Sequence, residues 1–129
     1  MPRQMSLAVV GADYPNRRGP GRRFEIAICA PGEPVELRPE PNNPADPRAV
    51  AVYSCRGVQI GYLTAERAPL IGRDVREGRI RTIFQRAERW GATIRAAFDG
   101  AEPVLPAGPI DDTGDWPPPG SDDSDWWPD

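Results

Sequence analysis

The sequence predicts an all-β (mainly β) fold, a small antiparallel barrel with one main short helix, followed by an acidic tail that is disordered on its own. Two observations predict the barrel: short apolar segments recur over the first 100 residues, and glycine or proline turns separate them. The distribution of charge predicts the tail. All 16 basic residues are arginines that lie before residue 101, whereas residues 101–129 carry eight acidic residues.

The predicted strands follow one another closely along the chain. Met5–Gly11 is an apolar run that ends at a glycine. Phe24–Ala30 places apolar residues at alternate positions, which is the period of two expected of a half-buried strand. Val35 and Leu37 alternate with charged residues and predict a third strand. The remaining predicted strands are Ala49–Ser54, Val58–Leu63, Arg79–Ala87 and Ala92–Phe98.

One helix and one long loop are expected between these strands. Thr64 is a candidate N-cap, Pro69 suits the first turn of a helix that runs to Glu77, and Gly78 is placed to end it. Residues 39–47 (PEPNNPADP) contain four prolines in nine positions, which predicts a loop with a restricted backbone.

Composition excludes several classes of function. The chain has no histidine, so histidine-based catalysis is excluded, and the two cysteines alone do not complete a zinc site. Neither a long apolar run nor a secretory signal is visible, so we expect a cytoplasmic protein that has no membrane contact. In that compartment we expect Cys29 and Cys55 to be buried, reduced thiols. No metal, cofactor or enzymatic activity is expected.

The chain divides near Gly100 into a predicted barrel domain (1–100) and a predicted tail (101–129). The barrel domain carries a net charge of about +5 by formal count (16 arginines against 11 acidic residues), and the tail contains seven of the 17 prolines. Three of the four tryptophans, Trp116, Trp126 and Trp127, lie in the tail. Three interpretations remain open: the tail docks on its own barrel, it binds another protein, or it only increases solubility.

The loop 42–48 carries the densest group of polar side chains. Asn42, Asn43 and Asp46 offer hydrogen-bond donors and acceptors on a backbone that prolines restrict, as a site for sugar hydroxyls and base edges requires. The alternative is that these side chains only cap the turn by bonding to its backbone.

Three segments form a wider pattern of motifs. They are Val9-Val10-Gly11, the run from Glu40 to Tyr53 that contains Asn-Pro-x-Asp, and Gln59-Ile60-Gly61-Tyr62-Leu63 with Ala68 in the following helix. Together these segments resemble the HIRAN domain family. The resemblance covers roughly Leu7–Phe98. It implies an OB-like barrel and a non-catalytic module that binds the 3′ end of single-stranded DNA in repair or replication, with a separate helicase or nuclease as a candidate partner.

The resemblance also implies roles for particular residues. Asp46 would accept the terminal 3′-hydroxyl, Asn42 and Asn43 would contact the terminal nucleotides, and Tyr14 and Tyr62 would stack or hydrogen-bond. The predicted nucleic-acid-binding set is completed by Arg48 and by arginines that would meet phosphates, namely Arg17, Arg18, Arg22 and Arg23.

Three positions depart from the family pattern. Asp13 stands where a basic residue is expected, Pro15 where a second aromatic is expected, and Ala65 where a lysine is expected. Fewer cations near the phosphates weaken binding to nucleic acid. The alternative is therefore a protein-interaction module that keeps the barrel, has lost DNA binding, and uses its tryptophan-containing tail to dock on a partner or on another copy.

Overall fold

A computed structural model describes residues 4–106, and its architecture confirms the predicted all-β class. Six antiparallel strands form a closed barrel, and two short helices lie between strands. The elements in chain order are β1 (Gln4–Val10), α1 (Arg22–Ile28), β2 (Pro34–Pro39), β3 (Val50–Tyr53), β4 (Gln59–Leu63), α2 (Ala68–Arg76), β5 (Ile80–Glu88) and β6 (Gly91–Phe98).

The strands are arranged in the order β1-β4-β3-β2-β5-β6, and β6 pairs with β1 to close the ring. Closure gives each strand two neighbours, which removes the open sheet edges that promote aggregation. The interior is filled by aliphatic side chains from all six strands together with Phe84 of β5. Burial of this apolar surface is the main force that holds the barrel together.

The prediction of a strand at Phe24–Ala30 is wrong, because this segment lies mainly in helix α1. The alternating residue Ile26 is buried, but Phe24 and Ile28 are exposed. The buried face instead follows the helical spacing of Arg22, Glu25 and Ile26. Sequence inspection missed this face because two of its three members are charged. Glu25 is buried because its Oε2 accepts a hydrogen bond of 2.6 Å from Nε of Arg56.

The second helix lies where the sequence predicts it, but its N-terminus differs. The N-cap residue is Arg67 and makes no side-chain capping bond, whereas Thr64 contributes only its backbone oxygen, which accepts from the amides of Arg67 and Ala68. Pro69 occupies the first turn as expected. Gly78 follows the helix with a φ of 69°, a left-handed conformation that glycine adopts without steric cost.

A close approach of β4 to β1 determines where the loops after these strands meet. Gly61 has a φ of 156°, and a Cβ at this position would lie 2.3 Å from the carbonyl oxygen of Val10. The adjacent pair Val10 and Tyr62 are in register across the two strands. The end of β1 and the side chain of Tyr62 are therefore held at the same end of the barrel.

The first residues after β6 lie against the other end of β1. Nε2 of Gln4 donates to the carbonyl oxygen of Glu102 at 2.9 Å, and Oε1 of Gln4 accepts from the amide of Val104 at 2.8 Å. Trp116, Trp126 and Trp127 lie outside the described residues. Neither of the helices in residues 4–106 has the length and apolar character that crossing a membrane requires.

Candidate nucleic-acid interface

An open groove of about 1080 Å³ lies at the end of the barrel where β1 ends and β4 approaches it. Three parts of the chain line it: the loop 14–20 after β1, the loop 39–44 after β2, and the β3–β4 hairpin through Tyr53, residues 57–59 and Tyr62. Arg22 of α1 completes the lining. Segments that are distant in sequence therefore meet around one cavity of a size suited to a nucleotide or peptide ligand.

The buried guanidinium of Arg22 holds the loop 14–20 against the barrel. Its Nε donates to Oδ1 of Asn16 at 2.8 Å, and its Nη1 donates to the carbonyl oxygen of Gly11 at 3.0 Å. Nδ2 of Asn16 in turn donates to the carbonyl oxygens of Pro20 and Gln59, each at 3.0 Å. Asn16 therefore closes the arginine-rich loop and ties it to β4, so the loop has a defined position.

Arg22 also contacts the ring of Tyr62, with 5.7 Å between Cζ and the ring centroid. Burial lowers the pKa of Arg22, and the nearby Tyr62 and Glu40 oppose that shift. The guanidinium stays charged because its ordinary pKa is far above neutrality. A buried positive charge therefore lies at the inner wall of the groove.

The hydroxyl of Tyr62 donates a hydrogen bond of 2.7 Å to Oε1 of Glu40, and Nδ2 of Asn43 donates to the same oxygen at 3.0 Å. Burial raises the pKa of Tyr62 to about 12, and the hydrogen bond to Glu40 acts in the same direction. Glu40 thus joins β4 to the loop after β2 and is a carboxylate of the groove wall. Sequence reasoning did not assign it a role.

The two asparagines of the loop 42–48 have different surroundings. Asn43 is buried, and its Oδ1 accepts from the amides of Ala45 and Asp46 at 2.8 and 3.2 Å. Asn43 therefore caps the turn in the way that the alternative interpretation describes. Asn42 is exposed, lines the groove, and makes no side-chain hydrogen bond to any residue of the described part.

Asp46 does not line this groove, and its amide donates to Oδ1 of the lining residue Asn43. Oδ1 of Asp46 accepts from the amide of Arg48 at 2.8 Å and is 3.9 Å from Nε of Arg48. Its Oδ2 accepts no hydrogen bond from residues 4–106, and the side chain is 22% exposed. One carboxylate oxygen thus shapes the turn and the other is open to a donor.

The exposed arginines between β1 and the first turn of α1 divide into two groups. Arg17 and Arg18 are exposed on the groove rim, and neither forms an ion pair within residues 4–106. Arg23 instead pairs with Asp13, with Nε and Oδ1 2.5 Å apart. This pair lowers the pKa of the Asp13 carboxyl and compensates its charge.

Two further tyrosines line the groove. Tyr14, half-buried, follows Gly11, and its amide donates to the carbonyl oxygen of that glycine at 3.2 Å. Tyr53 at the end of β3 carries the guanidinium of Arg38 over its ring, 3.9 Å from the centroid. Both rings are partly accessible, as base stacking requires.

The structure brings most of the predicted site residues together. Those that line the groove are Tyr14, Arg17, Arg18, Arg22, Asn42, Asn43 and Tyr62. Those outside the lining are Arg23, Asp46 and Arg48. The polar lining residues that sequence reasoning did not assign are Asn16, Glu40, Tyr53 and Gln59. Glu40 and Tyr53 are the first and last residues of the run that contains the Asn-Pro-x-Asp motif, and that run is the signal that could have identified them.

The cysteines are less buried than expected. Cys29 is partly buried and Cys55 is exposed, and both are free thiols whose Sγ atoms contact the guanidinium of Arg56 at 3.4 and 3.7 Å. Burial raises the pKa of Cys29 to about 11, so this thiol is protonated at neutral pH. Within residues 4–106 no group of three or more cysteine or acidic side chains is arranged to hold a metal ion.

Comparison with known proteins places the chain in a family. The model of the HIRAN domain family matches residues 6–84, which is more than half of the 129 residues, and the chain belongs to that family. The match includes both loops that line the groove and the β3–β4 hairpin.

Two solved structures share the fold. The HIRAN domain of human HLTF has a TM-score of 0.59 and 22% identity, with 74% of each chain covered. A protein from Lactobacillus plantarum has a TM-score of 0.60 and 16% identity over 73% of this chain and 91% of its own. No curated protein matches the sequence.

Proposed function

We propose that this protein is a non-catalytic module that binds single-stranded DNA and recognises its 3′ end in repair or replication. The observation that carries the proposal is the groove itself, which combines exposed cations, accessible aromatic rings and an exposed amide. The chain belongs to the HIRAN family, and its resemblance to that family implies the same function.

We assign base stacking and phosphate binding to different residues. Tyr14 and Tyr53 supply rings for bases, and stacking on an aromatic contributes about 1–3 kcal/mol per base without preference for its identity. Arg17 and Arg18 lie on the rim, where extended side chains can reach phosphates. A guanidinium binds a phosphate through two parallel hydrogen bonds.

The departure from the family pattern at Asp13 reduces the affinity for DNA less than the sequence suggests. A carboxylate beside the path of the phosphates repels them, but Asp13 is paired with Arg23. The pair presents no net charge to the DNA. The structure thereby supplies a physical reason why nucleic-acid binding can persist without the expected basic residue at this position.

End recognition is assigned to Asn42 and Asp46. Asn42 has an uncommitted amide at the groove, and Oδ2 of Asp46 has lone pairs that can accept a hydrogen bond from a terminal hydroxyl. A terminal phosphate offers no such donor when ionised and is repelled by the carboxylate. The pair therefore favours a free 3′-hydroxyl over a phosphorylated end.

The substitution Asp46→Asn tests this assignment. An asparagine oxygen can still accept the amide of Arg48 and cap the turn, so the loop is retained while the charge is removed. We expect affinity for a strand with a free 3′-hydroxyl to fall about tenfold, which corresponds to about 1.4 kcal/mol, with no loss for a 3′-phosphorylated strand. Unchanged affinity for the hydroxyl end would contradict the role of Asp46.

A specific observation favours the alternative of a protein-interaction module. Phe24 and Ile28 are 62% and 47% exposed and lie four residues apart on the outer face of α1, so they form one apolar stripe. If the full chain binds no oligonucleotide at low salt, this stripe becomes the surface to examine. Binding that weakens steeply as salt increases would instead support the DNA-binding function.

A further inference from the structure

The groove presents a charge pattern that the remainder of the same chain complements. Arg17 and Arg18 on its rim have no ion-pair partner among the residues that the structure describes. Residues 107–129, which follow the described part of the chain, contain seven aspartates and no basic residue. The formal charges are opposite, and the two parts are covalently linked, which raises their effective concentration to about the millimolar range.

The position at which the chain leaves the barrel allows contact with the groove. Gln4 holds Glu102 and Val104 at the start of β1, whereas the groove begins after the end of that strand. The seven residues of β1 span roughly 23 Å at the rise of an extended strand. The stretch of 15 residues from 107 to 121 can extend up to roughly 50 Å, so the segment that follows it can reach the groove.

The chemistry of one tail segment matches that of a nucleic-acid strand. Residues 122–127 (DDSDWW) place three carboxylates beside two adjacent indole rings. A carboxylate binds a guanidinium in the same two-pronged geometry as a phosphate. An indole ring stacks on tyrosine or arginine as a base does.

We propose that residues 122–127 occupy the groove in the absence of DNA, with their carboxylates at Arg17 and Arg18 and their indoles against Tyr14 and Tyr53. Docking of the segment is independent of any ligand. Its regulatory consequence, that DNA must displace the segment, rests on the proposed function. A groove occupied for 70–90% of the time weakens the apparent affinity for DNA about 3- to 10-fold.

The docking is tested first without DNA, in the full chain. Amide NMR spectra of the wild-type protein and of the double variant Trp126→Ala/Trp127→Ala are compared. We expect shifts at the amides of the non-proline residues within 14–20 and 57–59 of the groove lining, and none at the amides of the non-proline residues of α2 (Ala68–Arg76), which serve as the internal control. Trp116→Ala is the matched variant and is expected to leave the groove amides unchanged.

The second measurement is the affinity for a labelled single strand at low salt. Changing Asp122, Asp123 and Asp125 to asparagine should strengthen binding about 3- to 10-fold. The matched variant changes Asp111, Asp112 and Asp115 to asparagine, which removes the same charge from the other half of the tail. That variant should change the affinity for DNA less than twofold, because only residues 122–127 are proposed to bind in the groove. The overall negative charge of the tail is not proposed to compete with DNA.

The possible outcomes separate the two proposals. Groove shifts without DNA binding by any variant would support docking and contradict the proposed function. DNA binding with equal effects of both charge variants, or with no groove shifts, would overturn the docking of residues 122–127. Shifts confined to residues 34–37 and 80–83, which line a second groove, would also overturn it, because the segment would then lie elsewhere.

Discussion

The hydroxyl of Tyr62 on β4 and the Glu40 carboxylate after β2 are joined by a hydrogen bond of 2.7 Å. Asn43 donates to the same carboxylate oxygen, so a single acceptor aligns the strand and the start of the loop 42–48. Three side chains from two separate segments thus form one wall of the groove.

Removal of the Tyr62 hydroxyl should weaken the fold. Tyr62→Phe keeps the buried ring but leaves Glu40 with one donor fewer, and a hydrogen bond to a charged group contributes about 1.5–3 kcal/mol. We expect the free energy of unfolding in urea to fall by that amount. The matched variant Tyr53→Phe removes a hydroxyl from a more exposed tyrosine and should change stability by less than about 0.5 kcal/mol. Equal losses would contradict the account.

The same tyrosine should produce a dependence of stability on alkaline pH. The pKa of Tyr62 is about 12 in the folded protein and about 10 in a model peptide, so the folded state retains the proton over this range. The resulting stabilisation is complete below pH 10 and is lost as the pH rises through 12. Absorbance titration of the wild-type protein should show a tyrosine transition near pH 12, and Tyr62→Phe should remove that transition.

Alanine variants of the two asparagines should differ in whether they reduce stability or only the affinity for DNA. Asn43→Ala removes an oxygen that accepts two backbone amides, so we expect a loss of about 1–3 kcal/mol in stability together with weaker DNA binding. Asn42→Ala should leave stability within about 0.5 kcal/mol and reduce affinity alone. Urea unfolding and fluorescence anisotropy on both variants provide the comparison. A strongly destabilised Asn42→Ala would show that its side chain has a structural role.

The approach of β4 to β1 should tolerate no side chain at Gly61. In Gly61→Ala the new Cβ meets the Val10 carbonyl, and we expect a loss of about 3 kcal/mol or more in the free energy of unfolding. Gly57→Ala is the control: its φ is 78°, but no atom lies within 4 Å of the added carbon. It should cost about 1–2 kcal/mol, from the backbone conformation alone.

The rim arginines should account for part of the salt dependence of binding. For single strands, the slope of log K against log salt changes by about 0.7 for each phosphate contact. Replacing Arg17 and Arg18 by alanine should therefore reduce the magnitude of the slope by about 1.4. Arg73 and Arg76 on α2 lie outside the groove, and their double alanine variant should leave the slope unchanged. Equal slopes in the two variants would exclude the rim arginines as phosphate ligands.

The class of fold could be predicted because short apolar segments separated by turns mark the strands. β1, β3 and β4 are nearly continuous buried runs, and β2 alternates between buried and exposed residues. Helix α1 could not be predicted, because burial of Arg22 and Glu25 depends on side chains outside the helix, Asn16 and Arg56, and Arg56 is 31 residues from Glu25 in the sequence. The same limit applies to the site. Motifs identified the loops, but Asn16 and Glu40 also bond to Gln59 and Tyr62 of β4, which are distant from them in the sequence.

The most direct test of end recognition is fluorescence anisotropy of the full-length protein with single strands labelled at an internal position. Strands with a free 3′-hydroxyl are compared with 3′-phosphorylated strands, and 5′-phosphorylated strands with a free 3′-hydroxyl control for the added charge. The account predicts binding to the 3′-hydroxyl that is about 10- to 100-fold tighter than to the 3′-phosphate, with no penalty for the 5′-phosphate. Equal affinity for all three strands would contradict recognition of the 3′ end.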